Sequence, residues 1–157
     1  MTASLVLPAL VTLAFAGLAY ALKGVSLSGA VAGAIMSFTL YAAAGAGAFV
    51  ALVSVFVLTW IATRFGYSRK QSLGTAERGD GRNALQVLAN LGVAGASAAF
   101  YRAFHGNPMF LLAMSAALSE AAADTVSSEL GQACTTRACL ITTFQEVPAG
   151  TDGGVSP

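Results

Sequence analysis

The sequence predicts an all-α integral membrane protein, a polytopic transmembrane helix bundle of about five spans with a basic cytoplasmic loop. Three observations carry that expectation. Apolar residues make up 56% of the chain and charged residues only 10%, with a mean hydropathy of +0.72, whereas a soluble domain carries about 25% charge. The charges are also confined to short stretches, and 40 consecutive residues, 24–63, carry none. Finally, five of the eight basic residues (Arg64, Arg69, Lys70, Arg78 and Arg82) fall between 64 and 82, the concentration expected of a cytoplasmic connection. A net charge of +1 gives no basis for a nucleic-acid partner; the lipid bilayer is the expected surrounding.

Taken in order, residues 4–22 are uncharged, and 19 residues at about 1.5 Å each reach roughly across the hydrocarbon layer. No Lys or Arg precedes them, so they read as a retained span rather than a signal peptide. After Lys23 the uncharged stretch is too long for one helix. It divides at Gly45-Ala46-Gly47 into spans 27–44 and 48–63. Residues 64–82 form the polar loop, 83–101 the fourth span, and 109–130 the fifth, with Pro108 in its first turn where the missing N–H costs nothing. Residues 131–157 are left as a cytoplasmic tail, the whole forming one membrane domain. Alternating sides from the basic loop places the N-terminus outside and seven of eight basic residues inside, Arg102 being the exception. A bacterial-type inner membrane is the setting this implies.

The small residues Gly29 and Gly33, and Gly92 and Ala96, recur at helix spacing and are read as packing faces. Cys134 and Cys139 are the only cysteines beside a single histidine, His105. That is too few ligands for a zinc site, so free thiols on a reducing face are expected.

Two stretches carry candidate chemistry. In Glu77-Arg78-Gly79-Asp80-Gly81-Arg82-Asn83, glycines expose backbone N–H groups and arginines add charge just before a helix start, a combination suited to phosphate. A connector whose arginines only set orientation is the alternative. The second stretch is Ser119–Glu129, where three carboxylates enter an apolar span. At 100° per residue Glu120, Asp124, Ser127 and Ser128 share a face, with Thr125 and Glu129 in the stripe beside it. That face is expected to point inward, because an acid in lipid near the bilayer centre costs about 2.5–3.5 kcal/mol. A helix that has left the bilayer after Ser119 is the alternative. Carboxylates are hard ligands suited to Mg²⁺, and arginines are donors suited to phosphate.

The motifs Lys23-Gly24-Val25-Ser26-Leu27-Ser28-Gly29, Glu77–Asn90, Ala123–Gly131, Leu140–Phe144 and Gly150-Thr151-Asp152-Gly153-Gly154-Val155-Ser156 together resemble the ordered motifs of an integral membrane family. It was long known only as a domain of unknown function and is typified by transmembrane protein 19 and the plant phytyl-phosphate kinase. The chain departs from the family pattern at Leu91, where glycine is usual, and in ending at Pro157, where family members continue through further spans.

The resemblance implies a kinase that passes a phosphoryl group from a nucleoside triphosphate, CTP in the plant enzyme, to an isoprenoid monophosphate. On that footing Arg78, Arg82 and Asn83 are the expected catalytic residues. Together with Asn90, Thr151, Gly153 and Gly154 they are also the expected nucleotide- and substrate-binding residues. Asp124 and Glu129 are the expected Mg²⁺ ligands, with Glu120 and Asp152 as further candidates. A homo-oligomer is among the partners considered. A transporter or scaffold with an intramembrane acidic site is the reading from another class, and a cytidylyltransferase making a CDP-lipid would use the same residues.

Overall fold

The computed structural model describes residues 3–76, 79–135, 137–149, 151 and 153–155. The chain is an all-α polytopic bundle, and among the described residues six helices occur in the order α1 (Ala3–Ala21), α2 (Leu27–Ala44), α3 (Ala46–Arg64), α4 (Tyr67–Ser72), α5 (Ala84–Ala103) and α6 (Pro108–Cys134). Helices α2, α3, α5 and α6 are long and apolar enough to cross a membrane, and the apolar stretch Leu5–Ala21 of α1 is shorter. Their large side chains are turned outward at many positions, among them Leu13, Val31, Ile35, Val50 and Val93. In water such surfaces would be a liability, and against hydrocarbon they are the expected exterior.

Local chemistry sets the helix ends. Gly45 closes α2 with a φ of +85°, a backbone state that glycine adopts without a Cβ penalty, and α3 begins at the next residue. Buried hydroxyls inside the apolar helices are satisfied within their own helix: Thr12 Oγ1 donates to the Pro8 carbonyl at 2.8 Å and Ser37 Oγ to the Ala34 carbonyl at 3.1 Å, as low-dielectric burial demands.

The described residues fall into two compact units. The first comprises residues 1–56 and 78–121. Its core gathers Leu40, Leu52, Ala94, Ala98, Met114 and Leu118, and a second cluster joins Ala19, Val25, Ala32 and Val87. Phe15 is held edge-on by Phe49 and Phe56, with ring centroids 5.6 and 5.3 Å away. Close approach of α2 to its neighbours depends on Gly29 and Gly95. A Cβ at Gly29 would collide with the Arg82 carbonyl oxygen, and one at Gly95 would lie 2.8 Å from Met36 Sδ. Gly33 and Gly92 meet nothing within 4 Å, so of the glycines expected to pack Gly29 does, and Gly95 takes the role expected of Gly92.

The second unit comprises residues 57–77 and 122–157. It holds the end of α3, the short α4, the end of α6 and a three-stranded antiparallel sheet in the order β2-β1-β3, formed by β1 (Arg137–Leu140), β2 (Glu146–Pro148) and β3 (Gly154–Val155). Cys139 pairs with Glu146 on one side and with Val155 on the other. The stretch read as a tail is therefore partly a sheet, with Ala138 and Ala149 buried and Arg137 ion-paired to Glu146 at 2.8 Å on the surface. Cys134 and Cys139 are exposed free thiols.

Candidate functional site

In the first unit the glycine-arginine loop is bound to the loop that precedes α2. Arg82 N donates to the Gly24 carbonyl at 3.2 Å, and Ser26 N donates to the Arg82 carbonyl at 3.0 Å, making a short parallel bridge between Val25 and Arg82. Gly81 makes this possible. Its φ is +80°, and a Cβ there would lie 2.7 Å from the Gly24 carbonyl carbon and the Val25 nitrogen. Both conditions exclude any other residue at ordinary cost.

This bridge brings two helix starts together. Ser26 caps α2, its Oγ accepting from Gly29 N at 3.3 Å. Asn83 caps α5 in a reciprocal box: Asn83 Oδ1 accepts from Gln86 N at 3.1 Å, and Gln86 Oε1 accepts from Asn83 N at 2.9 Å. Ser28 of α2 reaches across to accept from Ala84 N at 3.4 Å, and its hydroxyl lies 3.1 Å from that of Ser26. Two helix N-termini, each equivalent to roughly half a positive charge, thus open at one place beside the half-buried Arg82 and the exposed Lys23. Such an arrangement attracts an anion and offers hydroxyl donors to it. The first two sequence motifs are in this way one structural feature. Ser26 and Ser28 went unnamed as candidate residues, although Ser-x-Ser before an apolar run is a readable start signal. Arg78, also expected here, lies outside the described residues. Asn90 is half-buried further along α5.

The acidic stretch of α6 departs from expectation. The buried positions are Met114, Leu118, Ala121, Thr125 and Glu129, a stripe at helical spacing whose first three members are apolar and set which side of α6 packs. The face bearing Glu120, Asp124, Ser127 and Ser128 is exposed, so the inward orientation expected for it is corrected. The stripe beside it is the buried one. Among the described residues no three His, Cys, Asp or Glu side chains cluster as a metal site. Asp124 and Glu120 are exposed carboxylates one turn apart on α6.

Glu129 is built differently. It is 8% exposed, and its Oε2 accepts from Lys70 Nζ at 2.5 Å while Oε1 accepts from Thr63 Oγ1 at 3.1 Å. Lys70, with no exposed surface, spends its other protons on the carbonyls of Ala62 and Thr63, at 3.1 and 2.6 Å. Those carbonyls belong to the last turn of α3, where a cation is favoured; that of Ala62 also accepts from Phe65 N at 3.2 Å. Lys70 therefore caps one helix and binds the acid of another. Arg69 donates to the Thr135 carbonyl, just past the end of α6, at 2.8 Å, and Gly66 passes so near Ala133 that a Cβ would lie 2.6 Å from the alanine methyl. Sequence reasoning counted Lys70 as one of several loop charges and had no local signal for its burial.

The last motif forms the turn into β3. Thr151 Oγ1 and N both donate to the Pro148 carbonyl, at 2.8 and 3.3 Å, Gly153 has a φ of +75°, and Gly154 N donates to the Thr151 carbonyl at 2.9 Å. Thr151 and Gly153 are exposed. Asp152, the fourth candidate metal ligand, lies outside the described residues.

The chain is 30% identical over 138 residues to Protein VTE6, chloroplastic, of Arabidopsis thaliana, a match covering 85% of this chain and 41% of that protein. It is 31% identical over 125 residues to an uncharacterized membrane protein of Synechocystis, covering 78% of this chain and 48% of the relative. A third relative, an uncharacterized membrane protein of Methanocaldococcus jannaschii, is 33% identical over 128 residues, covering 82% of this chain and 52% of its own length. The chain thus spans about half the length of the curated relatives it matches. No solved structure matches. The family model described as integral membrane protein DUF92 matches residues 10–157, and with the ordered motifs folded as above the chain belongs to that family.

Proposed function

We propose that the protein is a membrane-embedded prenyl-phosphate kinase, working in a bacterial-type inner membrane with the 64–82 connection and the C-terminal region on the cytoplasmic side. CTP is the proposed donor and an isoprenoid monophosphate the proposed acceptor. The observation that carries the reading is the double helix start at Ser26 and Asn83, with Arg82 in the bridge that joins them. The family's motifs shared with the plant phytyl-phosphate kinase support it further.

In the proposed reaction a phosphate oxygen of the acceptor attacks the γ-phosphorus of CTP. The bond from that phosphorus to the bridging oxygen breaks and CDP leaves. No general base is required, because a phosphate monoester with a second pKa near 6 is already an anion at neutral pH. Catalysis of this kind is mainly positioning and charge neutralisation. Arg82 and Arg78 neutralise phosphate charge, and Asn83 with the serine hydroxyls fixes the phosphate at the helix starts. Asn90, Thr151, Gly153 and Gly154 remain proposed nucleotide contacts. Asp124, with Glu120 one turn away, is the proposed holder of Mg²⁺, which when bound neutralises nucleotide phosphate oxygens; Asp152 stays a candidate. Glu129 is assigned to positioning, since both of its oxygens are engaged.

The test is phosphoryl transfer from γ-labelled CTP to prenyl monophosphates by the full-length protein in detergent, native and Arg82→Lys. Lysine keeps the charge and loses the planar two-oxygen fork. A fall of roughly a hundredfold, a few kcal/mol of barrier, is expected. A fully active Arg82→Lys protein returns the loop to a topological role, and release of pyrophosphate instead of CDP identifies cytidylyl transfer.

A further inference from the structure

Within the first unit, a groove of about 530 Å³ runs between α2 and α5. Its walls are apolar, with Val31, Ile35 and Leu88 along its length. One end is marked by Ser28 and Ala84, the residues whose hydroxyl and N–H meet at the paired helix starts. The other end along α2 is Met36. Because Ser28 meets Ala84 and Met36 meets Gly95, the two helices run in the same direction, and the groove descends from their N-termini over eight residues of α2, roughly 12 Å. Val31 and Ile35, each more than half exposed, form a rim open along its side.

A groove that is apolar along its length and cationic at one end is complementary to a single apolar chain carrying an anionic head. It suits a phospholipid diester less well, since the helix dipoles favour a dianion. Resting on the kinase reading, we propose that this groove seats the isoprenoid chain of the acceptor, and that Met36 closes its far end and gauges chain length. Met36 is held in place by Gly95, where even a methyl group would press on its sulfur. A flexible thioether is suited to such a stop, because it fills irregular space and yields gradually.

The experiment uses the full-length protein in nanodiscs and a prenyl monophosphate with a diazirine at its chain terminus. Labelling is expected at Val31, Ile35, Met36 or Leu88, with competition by farnesyl monophosphate and none by farnesol or phosphatidylglycerol. Val31→Trp, on the exposed rim where folding is undisturbed, should cut labelling at least tenfold. Met36→Ala should shift the preference about tenfold toward longer chains in competition with unlabelled prenyl monophosphates. Labels elsewhere, equal competition by phosphatidylglycerol, or an unchanged chain-length profile in both variants overturns the proposal. Labelling needs no turnover, so a labelled groove without phosphoryl transfer refutes the kinase reading alone. Transfer with the label elsewhere refutes the groove alone.

Discussion

Replacing Lys70 by methionine removes a charge that the structure has buried completely. Three acceptors lose the ammonium at once, the Glu129 carboxylate and the Ala62 and Thr63 carbonyls, of which the Ala62 carbonyl keeps the Phe65 N–H. Glu129 keeps only the Thr63 hydroxyl. An uncompensated buried charge of this kind costs about 3–5 kcal/mol, which for a chain of this size lowers the melting temperature by roughly 6–20 °C. The double variant Lys70→Met, Glu129→Leu should recover most of that loss, since replacing both members of a buried pair with apolar groups is often neutral. Thermal unfolding of the four proteins in detergent, monitored by size exclusion, closes the cycle. If Lys70→Met alone unfolds within about 2 °C of the native protein, the pair is not the staple described, and Glu129 returns as a free ligand. A coupling below about 1 kcal/mol would lead to the same conclusion.

Other expectations follow from named groups. Gly81→Ala meets both a positive φ and backbone contacts at 2.7 Å, and should destabilise the protein by more than about 1 kcal/mol, read as a lower unfolding temperature. Gly79→Ala, with nothing within 4 Å, is the silent control. Asp124→Asn should raise the Mg²⁺ concentration needed for half-maximal CTP binding about tenfold or more while leaving expression near normal, because the side chain is exposed; an unchanged Mg²⁺ dependence assigns the acid no metal role. Cysteine at Gln71, in a protein whose Cys134 and Cys139 are first made serine, should resist an impermeant reagent in intact cells, and labelling from outside would reverse the proposed orientation.

Much of the helical order was legible because lipid enforces it. The charge-free run 24–63 had to divide, and Gly45 with its positive φ marks the division. Asn83 read correctly as a helix start because its cap is local, made with a residue three positions away. What stayed hidden is non-local or short. Lys70 pairs with Glu129 through a fold that no neighbouring residue announces, and α4, six residues long, is under two turns and leaves no periodic trace. The strands β1 to β3 run four, three and two residues, too brief for alternation to stand out. The acidic face of α6 was assigned inward from its charge, whereas Met114, Leu118 and Ala121 show that apolar area decided the matter. In the candidate site, the loop before α5 stood out by its glycines and arginines. Its partner segment at Gly24 to Ser26 was visible only as a separate motif.

The bridge between Val25 and Arg82 also bears on the order of assembly. Its two sides are separated in the chain by α2, α3 and α4, so Ser26 N and the Gly24 carbonyl must wait for their partners until those helices have been made. Insertion of individual spans and their later association are separable stages in a bilayer. The paired helix starts therefore form in the second stage, after the third long apolar helix has left the ribosome. A chain defective at Gly81 should then insert with normal efficiency and be lost afterwards, as an inserted but unassembled protein open to membrane proteolysis.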